Sequence, residues 1–326
     1  MTSALSTRLQ PYPLHTMKII VTGASGVLGS AVYDAFTNAL EEHDVFGLAN
    51  TRAGGKLRSL DLLDHSKVED FVRDVRPHWI IHCAAERKPD VAEKDPEGTR
   101  KLNVAVPGHL AQLSKELGFT LIYISTDYVF DGSSPPYVPS ARTNPLQLYG
   151  TSKRDGELAV LGIEGAHAVI LRVPVLYGPT PSNTDSAVNI LLDVIQDQSG
   201  KIYKMDHYQT RYPTNVIDIA NFLVRLTALP RSKPIPPILH YSAPEPFTKY
   251  EICLIFARIL HLPHKHIVPE SEPPAATLIV GIIILGATPR PRDTQLYVRE
   301  TEEIGVEGGL ATTGFEEWWE QYLEKK

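Results

Sequence analysis

Cysteine is scarce: Cys83 and Cys253 are the only two thiols in 326 residues. Two are too few for a disulfide framework and their spacing matches no metal site, so no metal is expected and the chain suits a reducing compartment, by default the cytoplasm. Charge of one sign is scarce as well. Lys and Arg number 32 against 38 Asp and Glu, a formal net charge of −6, without long runs of either sign. A basic face that could track phosphates is missing, which argues against nucleic acid as a partner. Long apolar runs are absent too. The longest, "AATLIVGIIILGA" at 275–287, has 13 residues, whereas a membrane span needs roughly 20. No membrane association is expected.

The first sixteen residues hold one arginine and no acid, a composition that hints at a targeting peptide, yet Pro11 and Pro13 would break an amphipathic helix there. Residues 1–16 therefore read as a disordered extension, with Met17 opening the fold. The chain as a whole is 43% hydrophobic and 21% charged, enough for one large core and a smaller lobe.

From Lys18 onward short β-branched runs alternate with longer amphipathic ones. Strands are predicted at 18–22, 44–49, 78–84, 120–126 and 168–176, and helices at 27–40, 66–75, 97–117 and 147–161. Strands apolar on both faces, separated by helices, predict an α/β fold with a doubly wound parallel sheet covered on both sides, of the Rossmann type. Beyond 176 prolines become frequent and the rhythm loosens, with helices predicted at 185–196, 215–228, 248–260 and 314–324. The expected division is a nucleotide-binding domain over 17–176, rejoined by 205–226, and a smaller C-terminal substrate lobe over 177–204 and 227–326.

"VTGASGVLGS" at 21–30 sets three glycines at spacings of three directly after the first strand. At a strand-to-helix corner this pattern binds a dinucleotide: Gly23 permits the tight turn, Gly26 lets backbone approach a pyrophosphate, and Gly29 lets the helix pack against the strand. Ser25, Val27 and Leu28 complete the corner, where backbone N–H groups at the helix start meet the anion. At the end of the second strand, "GLANTRAGGK" supplies Asn50, Thr51 and Arg52 and no acid before Asp61. An arginine without a competing carboxylate favours a 2′-phosphate, so NADP(H) is expected over NAD(H).

"YGTSK" places Tyr149 and Lys153 four residues apart, on one face of a helix. A lysine ammonium beside the phenol would lower its pKa toward the range of a general acid. Thr126, at the carboxyl end of its predicted strand with Ser125 before it, would hold a reacting carbonyl oxygen. His82 and His207 read as hydrogen-bonded structural histidines, and Arg211 reads equally as an anion contact or as a structural ion pair.

Together "TGASGVLG", "DLLD", "HCAAERKPDVAEKDPE", "YISTDYVFDGSSPPY", "PLQLYGTSK" and "LRVPVLYG" resemble the extended short-chain dehydrogenase/reductase superfamily, in its dTDP-4-dehydrorhamnose reductase-like branch. Within that branch, "HCAAERKPDVAEKDPE" and "MDHYQTRYPTNVIDIA" look most like the regulatory β subunits of methionine adenosyltransferase. The resemblance implies an NADP(H)-binding subunit whose partner is a methionine adenosyltransferase catalytic subunit. It also implies positions: Asp61 and Leu62 beside the adenine, Cys83, Ala84, Ala85 and Asn103 along the cofactor, and Tyr149 with Lys153 at the nicotinamide ribose. An alternative from the same branch is a working reductase of a nucleotide-activated 4-keto sugar, with Thr126, Tyr149 and Lys153 catalytic. Two features depart from the pattern. The chain closes at "GFEEWWEQYLEKK" without a further basic and aromatic tail, and the run at 275–287 looks inserted, either as a buried strand or as sequence from a retained intron.

Overall fold

A computed structural model of the chain describes residues 16–230, 232–273, 278–279, 282–283 and 288–325. The extension at 1–15 and most of the inserted run lie outside the described residues. Of that run only Leu278–Ile279 and Ile282–Ile283 are placed, as two short antiparallel strands.

Seven parallel strands form the central sheet. In chain order they are β1 (Lys18–Thr22), β2 (Asp44–Ala49), β3 (Arg58–Ser59), β4 (Trp79–His82), β5 (Thr120–Thr126), β6 (Ala168–Val173) and, after three strands outside the sheet, β10 (Ile238–His240). Across the sheet they run β10-β6-β5-β4-β1-β2-β3. The order reverses between β1 and β4, and a doubly wound sheet opens a crevice at the carboxyl ends of the strands flanking that point.

Apolar residues on both faces of the strands demand cover. On one side α1 (Val27–Thr37) and α8 (Val216–Thr227) enclose Ile19, Val21, Phe36, Phe222 and Leu223. On the other, α2 (His65–Val75) and α5 (Val106–Leu117) enclose Ile80, Leu110, Leu121 and Tyr123. Between these two, the chain after β4 forms the short helices α3 (Pro89–Lys94) and α4 (Pro96–Arg100). The next helix, α6 (Leu148–Leu161), lies against β5 because glycine leaves room: a Cβ on Gly156 would strike the Tyr123 hydroxyl and the Asn103 carbonyl.

The second lobe has its own core. Tyr177, Phe256, Phe315 and Trp319 stack between α7 (Ile190–Gln196), α9 (Lys249–Ile259) and α11 (Phe315–Leu323). Parallel strands β8 (Tyr203–Asp206) and β11 (Ile267–Glu270) flank it.

Several predicted boundaries move. The strand expected over 168–176 stops at Val173, because Pro174 has no N–H to donate; Leu176–Tyr177 (β7) pairs instead with Thr214–Asn215 (β9). The helix expected over 97–117 is α4, a π-helical turn at Lys101–Ala105, and then α5, with Pro107 in its first turn. The helix expected from 185 begins only at Ile190. The stretch from 227 onward, expected to belong wholly to the smaller lobe, returns to the main one. It supplies β10 to the sheet edge, and past α10 (Arg299–Glu302) the side chains of Ile304, Val306 and Leu310 join the core beside α1 and α8.

Candidate functional site

At the corner after β1, Gly23 adopts φ +65°, and a Cβ there would lie 2.7 Å from the Ala84 nitrogen. A Cβ on Gly29 would collide with the Gly23 carbonyl oxygen. Two of the three glycines are thus required by space. Gly26 caps α1 with no side chain to occupy the helix end, and its own N–H donates to the Gly23 carbonyl at 2.8 Å. Backbone is laid bare at this corner, as an anion needs.

A cleft of about 450 Å³ opens over it. Gly23, Ser25, Gly26, Val27, Leu28 and Gly29 form one wall, with Asn50, Arg52, Asp61 and Leu62 at one end. Cys83, Ala84 and Ala85 follow after β4, and Thr126, Tyr149 and Lys153 stand at the other end. Fifteen of the sixteen residues named from the sequence as cofactor contacts, and all three named as catalytic, therefore meet in one cleft. Asn103 does not line it. That residue is fully buried behind the wall, where its amide accepts from the Glu86 N–H and donates to the Glu86 carbonyl, both at 2.9 Å, and donates to the Ser152 hydroxyl at 3.0 Å. It fastens the segment after β4 to α6.

The reactive end departs from the expected electrostatics. Lys153 does not steady the Tyr149 phenol; its Nζ sits 3.9 Å from the centre of the Tyr123 ring. Burial pushes the Lys153 ammonium down to about 7, opposed by Glu157 and Cys83. Burial raises the Tyr149 phenol well above its ordinary value, and a hydrogen bond with Thr126 works against that rise. Thr126 donates to Asp127 Oδ1 at 3.1 Å and accepts from the Tyr128 N–H at 3.2 Å. Asp127 also accepts from Thr294 Oγ1 at 2.5 Å, and burial raises its carboxyl to about 6 against these bonds and the charge of Arg211.

Cys83 carries a thiol that burial raises to about 12, which keeps it protonated. His82 is buried and neutral: Nδ1 lies 2.7 Å from the Thr22 hydroxyl, and burial, then the Lys153 charge, push the ring down to about 3. His207 bonds the Thr248 hydroxyl at 2.9 Å.

The sequence singles out Arg211 but gives no local signal for the other lining residues Lys249, Arg290, Arg87 and Asp185. Arg211 pairs with Asp206 at 2.7 Å, is joined to Phe247 by backbone hydrogen bonds in both directions, and also faces the cleft. Phe247 brings Lys249 beside it, and Arg290 comes from the loop after the inserted run. Lys249 has no ion-pair partner among the described residues; burial, then Arg211 and Arg290, push its ammonium down to about 8. Arg87 and Asp185 line the opposite end. These residues are scattered through the chain and converge only through the fold.

An all-parallel sheet with a glycine corner at the reversal of strand order defines a doubly wound, Rossmann-type protein with a cleft shaped for an extended ligand. The carboxyl-terminal lobe supplies the far wall of that cleft. The chain belongs to the RmlD substrate binding domain family, whose profile matches residues 17–309. It is 43% identical over 291 residues to methionine adenosyltransferase 2 subunit beta of Xenopus tropicalis, covering 89% of this chain and 83% of that protein. It is 34% identical over 227 residues to dTDP-4-dehydrorhamnose reductase of Streptomyces griseus, covering 68% of this chain and 67% of that protein. Among solved structures, dTDP-4-dehydrorhamnose reductase of Bacillus anthracis in complex with NADP superposes with a TM-score of 0.77 at 25% identity, covering 96% and 99% of the two chains.

Proposed function

We propose that the chain is a regulatory subunit of methionine adenosyltransferase that holds a pyridine dinucleotide in a reductase-type cleft. The similarity to methionine adenosyltransferase 2 subunit beta, across 89% of the chain, carries this reading. The site is consistent with holding a cofactor rather than turning it over. Its phenol is raised by burial, and its lysine faces an aromatic ring. In this reading the glycine corner takes the pyrophosphate, Leu62 and Asp61 flank the adenine, and Lys153 and Tyr149 meet the nicotinamide ribose. Arg52 favours NADP(H) over NAD(H). When bound, the dinucleotide supplies hydride chemistry, whether or not the subunit uses it. The same reading puts the protein in the cytoplasm, beside the catalytic subunit. Mixing the purified chain with a methionine adenosyltransferase catalytic subunit and NADPH should yield one complex on size exclusion and altered kinetics of S-adenosylmethionine formation. Absence of a complex at micromolar concentration overturns the reading.

A second reading, reduction of a nucleotide-activated 4-keto sugar, draws support from one observation: the cleft continues past Tyr149 to Arg211, Lys249 and Arg290, cations able to meet substrate phosphates. Oxidation of NADPH on addition of dTDP-4-keto-6-deoxyhexose, abolished in Tyr149→Phe, would establish it.

A further inference from the structure

The end of β2 carries Asn50, Thr51 and Arg52 and no acid, and on local grounds the ribose end of the cleft is open to a 2′-phosphate. The fold alters that environment. After β7 the chain makes a single 3-10 turn at Asn183–Asp185, and Asp185 returns to Arg52 across a separation of 133 residues. Arg52 Nη1 donates to both carboxylate oxygens, at 3.0 and 2.9 Å. Arg87 approaches the same carboxylate, with Nη2 3.8 Å from Oδ1. The Asp185 side chain is 17% exposed against 48% for Arg52, and all three residues line the cleft.

The turn is built to keep the carboxylate there. The Asp185 N–H donates to the Ser182 carbonyl at 3.0 Å, Asn183 Nδ2 donates to Asp193 Oδ1 at 2.6 Å, and the Ser186 hydroxyl donates to the Leu176 carbonyl at 2.7 Å. A carboxylate from the second lobe thus stands where doubly wound proteins commonly place an acid from the second strand. An acid in that position accepts a ribose 2′-hydroxyl and repels a 2′-phosphate.

We propose that Asp185 is the selectivity-determining residue of the dinucleotide site: it would accept the ribose hydroxyl of NAD(H), and it holds Arg52 Nη1 and sets a like charge beside any 2′-phosphate that comes to the rest of that guanidinium. The physical ground is the shared guanidinium: with Nη1 held by Asp185, only Nη2 and Nε are left to a second anion, and a phosphate dianion there meets the like charge of the carboxylate. Arg52 alone favours NADP(H), so the pair as built admits both dinucleotides and narrows the preference. Control of selectivity therefore sits on the second lobe, far in sequence from the glycine corner.

The inference rests on the dinucleotide reading of the cleft, and one set of titrations separates the two. Calorimetry with NADP⁺ and NAD⁺ is run on the full chain and on Asp185→Asn, Asp185→Glu and Arg52→Ala. Asp185→Asn should tighten NADP⁺ about five- to tenfold, as expected for releasing one partly exposed ion pair and one repulsion, and should weaken or leave unchanged NAD⁺. Asp185→Glu should keep the native ratio, and Arg52→Ala should reverse the preference toward NAD⁺. An Asp185→Asn ratio within twofold of the parent, with the parent binding either dinucleotide, overturns the inference and leaves the cofactor reading standing. A folded parent that binds neither overturns both.

Discussion

Lys153 holds the least comfortable charge in the cleft. Its side chain is 2% exposed, its Nζ lies over the Tyr123 ring, and burial pushes it down to about 7. The sequence names this residue, four positions after Tyr149, and suggests that its charge would steady the phenol. Burial was the missing quantity: it acts on both groups at once, lowering the amine and raising the phenol, and no local pattern reports it. Proton counting fixes the sign of the consequence. Between pH 7 and 8.5 the unfolded chain keeps the Lys153 proton while the folded chain sheds it, so stability rises with pH. Lys249, lowered to about 8, acts in the same direction; the two thiols, raised by burial to about 12, oppose it only toward the top of this window, and the phenols titrate above it. The slope from one such lysine approaches about 1.4 kcal/mol per pH unit. Urea unfolding at pH 7.0 and 8.5 should show that rise in the parent and a flatter line in Lys153→Met. Equal slopes would remove the lysine as its source.

Among the elements, α6 bears the most. Its start was legible in "YGTSK", and its length came out as expected to within a residue at each end. What holds it was not legible. Glu157, one turn after Lys153, is buried against Arg172 of β6: Arg172 Nη2 donates to Oε2 at 2.7 Å and Nε donates to Oε1 at 2.9 Å, while Ser125 adds a bond at 2.5 Å. This pair locks helix to sheet beneath the reactive end. Removing one partner strands the other charge in the core, so Glu157→Ala should lose about 3–5 kcal/mol in denaturant unfolding. Replacing both, Glu157→Leu with Arg172→Met, should lose clearly less, because no charge is left unpaired. A double variant as unstable as the single one would show that the pair acts through shape rather than charge. Short elements escaped notice for a related reason. β3 has two residues and β10 three, too few to display a period of two, and both are strands only because a neighbour already stands in the sheet.

At the scale of the whole molecule, one cleft is lined by two lobes. Gly23 and Thr126 belong to the first; Asp185, Lys249 and Arg290 come from segments beyond it. Ile304, Val306 and Leu310 return to the first core, so the lobes share buried surface. They should unfold together. A dinucleotide at a hundred times its dissociation constant stabilises the folded state by about 2.7 kcal/mol, which for a chain of this size moves the midpoint by roughly 4 °C. Scanning calorimetry should therefore give a single transition that shifts as a unit on adding NADPH. A second peak left in place by the ligand would mean that the lobes fold independently.

The sequence by itself determined the alternation of strand and helix, the glycine corner, and the Thr126, Tyr149 and Lys153 set. These are written in spacings of two to four residues, and short-range sterics and hydrogen bonding read such spacings wherever they occur. Only the tertiary structure decided that Asp185 meets Arg52, that Lys153 faces Tyr123, and that residues after 227 return to the main sheet. Those relations are set by strand order and by what each burial displaces, and partners 133 residues apart leave no periodic mark along the chain.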